Sequence, residues 1–183
     1  MRTRCGLLVL ALCASVGAIA PDVAEASGCA VVWGSLEKGA GVVDRVDPGP
    51  PMFDVRAGRH ECFDRMVVDV RGRTADYHAE YVSGVTELAT GDPIPLRGGA
   101  FLAIVASADV RDDSGAVTFP RIGRAELVAV TGWQTFRQIA WAGSQEGITQ
   151  IGIGVRARLP FRVFILAGPG TGSRLVVDVA HRW

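Results

Sequence analysis

Arg65-Met66-Val67-Val68-Asp69-Val70 and Arg174-Leu175-Val176-Val177-Asp178-Val179 are almost the same six residues written twice in one chain. Each copy follows an Ala-Gly pair at a similar distance, Ala57-Gly58 and Ala167-Gly168. In an extended backbone Arg65, Val67 and Asp69 share one face, while Met66, Val68 and Val70 point the other way. Arg65 and Asp69 then stand four residues, ~13 Å, apart and cannot pair with each other. A two-fold relation between the copies would instead let Arg65 meet Asp178 and Arg174 meet Asp69. A strand with one greasy and one charged face requires a second layer to cover the greasy side.

The same period of two runs through most of the chain. Tyr77, Ala79 and Tyr81 alternate with His78, Glu80 and Val82, and Thr149, Ile151, Ile153 and Val155 alternate with Gln150, Gly152, Gly154 and Arg156. Phe161, Val163 and Ile165 oppose Arg162, Phe164 and Leu166. Residues 101–106 are apolar throughout, which predicts a central strand buried on both faces. Segments 53–56, 65–70, 135–142 and 174–179 bring the expectation to about eight strands, and only 124–130 could support a short helix. Residues 44–51, 91–99 and 109–120 are loops by their Gly, Pro and Asp content. The pattern predicts an all-β fold, a sandwich more than any α/β arrangement.

The N-terminus points outside the cytoplasm. Arg2 and Arg4 precede an uncharged apolar run over 6–20, Pro21 and Asp22 break it, and Ala24-Glu25-Ala26 offers small residues to a signal peptidase. Cleavage after Ala26 is expected, and the run is too short for a spanning helix. Removing these 26 residues from 183 takes two bases and two acids and leaves 17 of each sign. A neutral domain has no general electrostatic footprint for nucleic acid or an anionic membrane. Cys5 and Cys13 leave with the signal peptide, so Cys29 and Cys62 remain to form one disulfide in an oxidising compartment. That bridge would pin a tail, residues 27–51, onto a body spanning 52–183. The competing reading is a lipid anchor on Cys29, since Ala26-Ser27-Gly28-Cys29 loosely matches a lipobox. That cysteine lies well beyond the apolar run, however, and lipidation would orphan Cys62.

Motifs that would state a chemistry are lacking. Residues 168–173 (GPGTGS) have no phosphate-reaching lysine and precede a strand, so a turn is expected. His60, His78 and His181 lack metal-ligand spacing, although His78 stands beside Glu80. Asp109, Asp112 and Asp113 lack the loop-closing glutamate of an EF-type calcium site. No serine sits in a nucleophile elbow. Glu80, Glu126 and Glu146 are the carboxylates left for a hydrolase. No metal or cofactor is therefore expected.

Residues 131–147 (TGWQTFRQIAWAGSQEG) mix flat rings with planar polar groups, the combination that binds sugars. Trp133, Arg137, Gln145 and Glu146 are the candidate ligand-binding residues; Trp141 shares a face with Ile139 and is expected in the core.

Residues 53–70, 136–143 and 154–183, with Cys29 and Trp33-Gly34-Ser35, resemble the AMIN-like domain proteins, small secreted or lipid-anchored proteins of high-GC Gram-positive bacteria. The resemblance implies a β-sandwich of two related sheets, with the duplicated segments shared between them. It further implies a non-enzymatic envelope module contacting peptidoglycan or another wall glycan, and it carries no catalytic residues. A secreted protein-interaction or inhibitor module is the alternative, and a wall hydrolase the third reading.

Overall fold

The protein is described by a computed structural model covering residues 28–41, 43, 49–74 and 76–183. The expected signal peptide and most of the 44–51 loop lie outside these residues. Eleven strands run along the chain: β1 (Lys38–Ala40), β2 (Met52–Arg59), β3 (Phe63–Val70), β4 (Tyr77–Val82), β5 (Val85–Thr86), β6 (Pro93–Ile94), β7 (Ala100–Ser107), β8 (Phe136–Gln145), β9 (Ile148–Val155), β10 (Phe161–Ala167) and β11 (Ser173–Ala180). They form a five-stranded sheet in the order β1-β4-β7-β9-β8 and a four-stranded sheet in the order β10-β11-β3-β2. The strand pairings within the two sheets are antiparallel. The fold is an all-β sandwich, and each of the eight expected strands is present.

Alternation decides what faces inward. Met66, Val68 and Val70 on β3 and Leu175, Val177 and Val179 on β11 meet Leu102, Ile104, Ile139, Ile151, Ile153 and Val155 from the other sheet in one buried cluster. Trp141 belongs to that cluster and stacks on Phe119 at 5.6 Å. Two tyrosines bolt the layers together: the Tyr77 hydroxyl donates to the Val163 carbonyl at 2.9 Å, and the Tyr81 hydroxyl to that of Leu159 at 2.9 Å. Tyr81 also accepts from the Leu159 amide at 3.0 Å, and burial raises its phenol above the usual range. Tyr81→Phe removes both bonds and leaves that amide without its acceptor. An expected loss of about 1–2 kcal/mol in unfolding free energy follows, measurable by denaturant titration.

Three expectations are corrected. Residues 124–130 form no helix: the Leu127 amide donates to the Ile139 carbonyl at 2.8 Å and the Trp141 amide to that of Arg124 at 3.0 Å. The segment thus runs along the open edge of β8, and pairing that edge satisfies its backbone better than a single helical turn would. β7 is central in its sheet, but only Leu102, Ile104 and the two residues at its end are fully buried. Its other face is merely half-covered. The duplicated segments do not divide between two sheets. They are β3 and β11, neighbours in the four-stranded sheet.

The short strands β1, β5 and β6 carry too few residues to show a period. β5 and the segment after β6 lie over the outer side of β9, where a Cβ on Gly152 would stand 3.1 Å from Val85 and one on Gly154 would stand 1.9 Å from the Arg97 carbonyl oxygen. Only glycine permits that approach. Residues 168–173 make the β10–β11 turn, closed by the Gly168 amide donating to Gly172 at 2.8 Å.

Candidate functional site: the outer face of the four-stranded sheet

Antiparallel pairing of two copies of one segment creates a local two-fold axis between them. Val67 faces Val176, Arg65 faces Asp178 and Arg174 faces Asp69. Half of the expected cross-pairing is realised. Arg65 grips Asp178 with Nε at 2.6 Å and Nη2 at 2.8 Å, a bidentate fork. Arg162, opposite Asp178 on β10, adds a third bond at 2.8 Å. Asp178 itself is fully buried. Hydrogen bonding to this carboxylate, against the cost of burial, raises the Arg65 guanidinium above its ordinary value.

The other half is broken by a neighbour. Arg56 on β2 takes Asp69 with Nε at 2.6 Å and Nη2 at 3.1 Å. That carboxylate raises the Arg56 pKa in the same way. Arg121 reaches from the 108–135 connection to Asp54. Arg174 is left facing an occupied carboxylate. Its Nη2 donates to the Ala167 carbonyl at 3.2 Å, and its Nε is buried without a hydrogen-bond partner. Among the described residues Arg174 has no carboxylate partner.

Rings complete the layer. The Arg162 guanidinium lies 4.3 Å from the Trp33 ring centre, and Arg65 and Arg162 both lie over Phe63 and Phe164. His60 stacks on Phe63 at 4.4 Å. Val67 and Val176 belong to the outer face yet are buried, as the aliphatic stems of arginines cover such positions. Arg56, Gly58, His60, Arg65, Leu166 and Arg174 surround these valines in a concavity of about 220 Å³.

The tail supplies Trp33. Cys29 is bonded to Cys62 in the β2–β3 turn, with Cα atoms 5.1 Å apart, so the sulfur available to a lipid is already engaged. From there the tail crosses the end of the sandwich. The Gly34 carbonyl accepts from the Phe161 amide at 2.9 Å, Ser35 accepts from Arg158, and β1 joins the far sheet beside β4.

The four residues singled out from the sequence separate into two places. Trp133 and Arg137 come together before and at the start of β8, where Arg137 Nη1 donates to the Trp133 and Phe136 carbonyls at 2.8 and 3.1 Å. Trp133 stacks on buried Phe136 with an interplanar angle of 11° and lies beneath Arg59 at 5.9 Å. Trp133 is half-buried. Gln145 ends β8, and Glu146 adopts a φ of 51° in the turn beyond it. Arg137 and Gln145 stand eight positions apart along the strand, roughly 25 Å, too far for one small ligand.

Other candidates resolve locally. The Asp112 carboxylate accepts from the Ser114 hydroxyl and the Ser114 and Ala116 amides, and this hydrogen bonding, led by the hydroxyl, lowers its pKa. It braces its own loop. Buried His181 contacts Thr135 through Nδ1 at 2.9 Å, and its Nε2 donates to the His60 carbonyl at 3.0 Å. Glu126 is held by Arg97 at 2.7 Å. His78 lies 3.5 Å from Glu80, and Glu37 arrives from the tail to bring a third ligand atom within 4.8 Å of both. Sequence spacing misses that trio because Glu37 comes from a distant strand end.

Arg65, Asp178, Arg174 and Asp69 are legible in the duplicated segments, and Trp33 in the tail expected to be pinned near Cys62; Arg56 and Arg162 are not. The signal available was the outward phase of Arg56 and Arg162, each a neighbour of the duplicated strands once the sheet order is known.

Two antiparallel layers, a stapled tail and an arginine-covered outer face define a small disulfide-bearing β-sandwich module. Residues 50–181 match the AMIN-like domain family, and because the match spans most of the chain, the protein belongs to that family. No curated protein matches the chain closely enough to count as a relative. The family match leaves out Trp33 and β1, so the tail is an addition to the matched region.

Proposed function

We propose that the protein is a non-catalytic module of the cell envelope that associates with peptidoglycan through the outer face of the four-stranded sheet. Membership of the AMIN-like family supports an envelope module associated with peptidoglycan, and the disulfide fits an oxidising, extracytoplasmic compartment. Among the described residues no helix is long and apolar enough to cross a membrane. The observation that carries the reading is the charge of this face. Arg56, Arg65, Arg121, Arg162 and Arg174 meet Asp54, Asp69 and Asp178, a surplus of two positive charges on a chain that is neutral as a whole. Peptidoglycan carries free carboxylates on its peptides, and on the lactyl ethers of its sugars where the peptide has been removed, and arginine forks match carboxylates in shape and charge.

Because ring faces at Trp33, Phe63 and Phe164 are engaged by guanidinium groups, recognition here depends on outward N–H donors more than on sugar stacking. Trp133 and Arg137 lie off this face, since Arg59, which covers Trp133, pairs with inward-facing Asp64 and points to the other side of the sheet from Arg56 and Gly58. Purified protein mixed with isolated peptidoglycan is expected to pellet with it, less so as salt rises. Trp133→Ala with Arg137→Ala should weaken pelleting by a few-fold at most. Protein that stays in the supernatant at low salt, while remaining folded, overturns the reading.

A further inference from the structure

We infer that Arg174 is the recognition point for a free peptide carboxylate, so that within the peptidoglycan reading, on which this rests, the ligand is the acidic end of a wall peptide more than the glycan. Arg174 lies directly across from Asp69, the position that would neutralise it, yet both Asp69 oxygens are bonded to Arg56. Its Nε is buried and lacks an acceptor, and its one hydrogen bond among the described residues is a long one to the Ala167 carbonyl. A buried donor of this kind costs free energy until an acceptor arrives.

The surroundings define that acceptor. Arg56 and Arg65 flank the same concavity but are already forked onto aspartates, so the unmatched charge within it is that of Arg174. One spare guanidinium suits a monoanion better than a dianionic phosphate. The walls supplied by Val67, Val176 and Leu166 are aliphatic, which suits a short apolar side chain next to the acid. A carboxylate seated on Arg174 with a methyl group against the valines satisfies both features, and the terminal D-alanine of a wall peptide has that chemistry.

The test is a calorimetric or NMR titration of the purified protein with N-acetylated peptides ending in D-Ala-D-Ala. The free acid should bind, and the C-terminal amide about tenfold more weakly or worse, the loss expected for charge-assisted hydrogen bonds. Arg174→Gln should abolish that discrimination while leaving the unfolding midpoint close to the parent's, because no carboxylate loses a partner. Arg174→Lys, which keeps charge without the fork, should bind the acid with intermediate affinity. Equal binding of acid and amide, or undiminished acid binding by Arg174→Gln, overturns the inference. A preference for the L-Ala-L-Ala acid also overturns it, by assigning the pocket to protein C-termini. Pelleting with peptidoglycan separates the two claims. If pelleting persists without acid discrimination, only the pocket assignment fails; if the acid binds but the protein does not pellet, the wall reading fails.

Discussion

Asp178→Ala is expected to lower the unfolding free energy by about 3 kcal/mol, the low end for breaking a buried ion pair by removing one partner. Asp178 is fully buried and accepts three hydrogen bonds, two from Arg65 and one from Arg162. Removing it leaves two guanidinium groups face to face, with no other ion-pair partner for either among the described residues. Their side chains are 25 and 40% exposed, so both can turn partly toward water, which is why the cost stays at the low end. Arg65→Met alone should cost less, because Arg162 still answers the carboxylate. Reversing the Arg65 and Asp178 charges should restore little, since an arginine at 178 would face Arg162. Joint replacement of Asp178, Arg65 and Arg162 by apolar residues of similar size should recover most of the loss, as whole buried ion networks often exchange for apolar packing at little cost. Denaturant midpoints with unchanged slopes provide the measurement. An Asp178→Ala loss well under 1 kcal/mol would show that the network contributes nothing to stability.

The part of this face that was legible in the sequence was the part encoded locally. Alternation along 65–70 and 174–179 fixed which residues point outward, and the near-identity of the copies suggested that they pair. It could not show that they are adjacent in one sheet, nor that Arg56 would capture Asp69 first. Both facts depend on strand order, a property of long-range pairing that the period of two does not carry. The same limit explains the ligand-binding candidates. Trp133, Arg137, Gln145 and Glu146 looked contiguous because they are close along the chain, but an extended strand carries its two ends far apart. The helix expected at 124–130 failed for a related reason: the open edge of β8 offers those backbone groups partners that sequence-local reasoning does not include.

The second large effect concerns the staple. Replacing both Cys29 and Cys62 by serine is expected to cost about 3–4 kcal/mol, the chain-entropy value for a bridge whose cysteines are 33 residues apart. The tail buries little of its own: Val32 is fully exposed and Leu36 is 75% exposed. Its hold on the body consists of Trp33 against Arg162 and Phe63, the Gly34–Phe161 bond, Ser35 with Arg158, and three residues of β1. Contacts so few and so polar belong to the part of a protein that opens first. With the bridge, every opening is followed by recapture at a short tether. Without it, the tail detaches, the amide of Phe161 loses its acceptor, and the edge of β4 is uncovered. Native-state hydrogen exchange should therefore show loss of protection at Phe161 and along β4 before any loss in β3 or β11. Mass spectrometry of the native protein should also find Cys29 oxidised to Cys62 and carrying no lipid. Unchanged protection at Phe161 in the double serine variant would mean that the tail docks by its own contacts, and that the sulfurs are incidental to the position of Trp33 over the arginine layer.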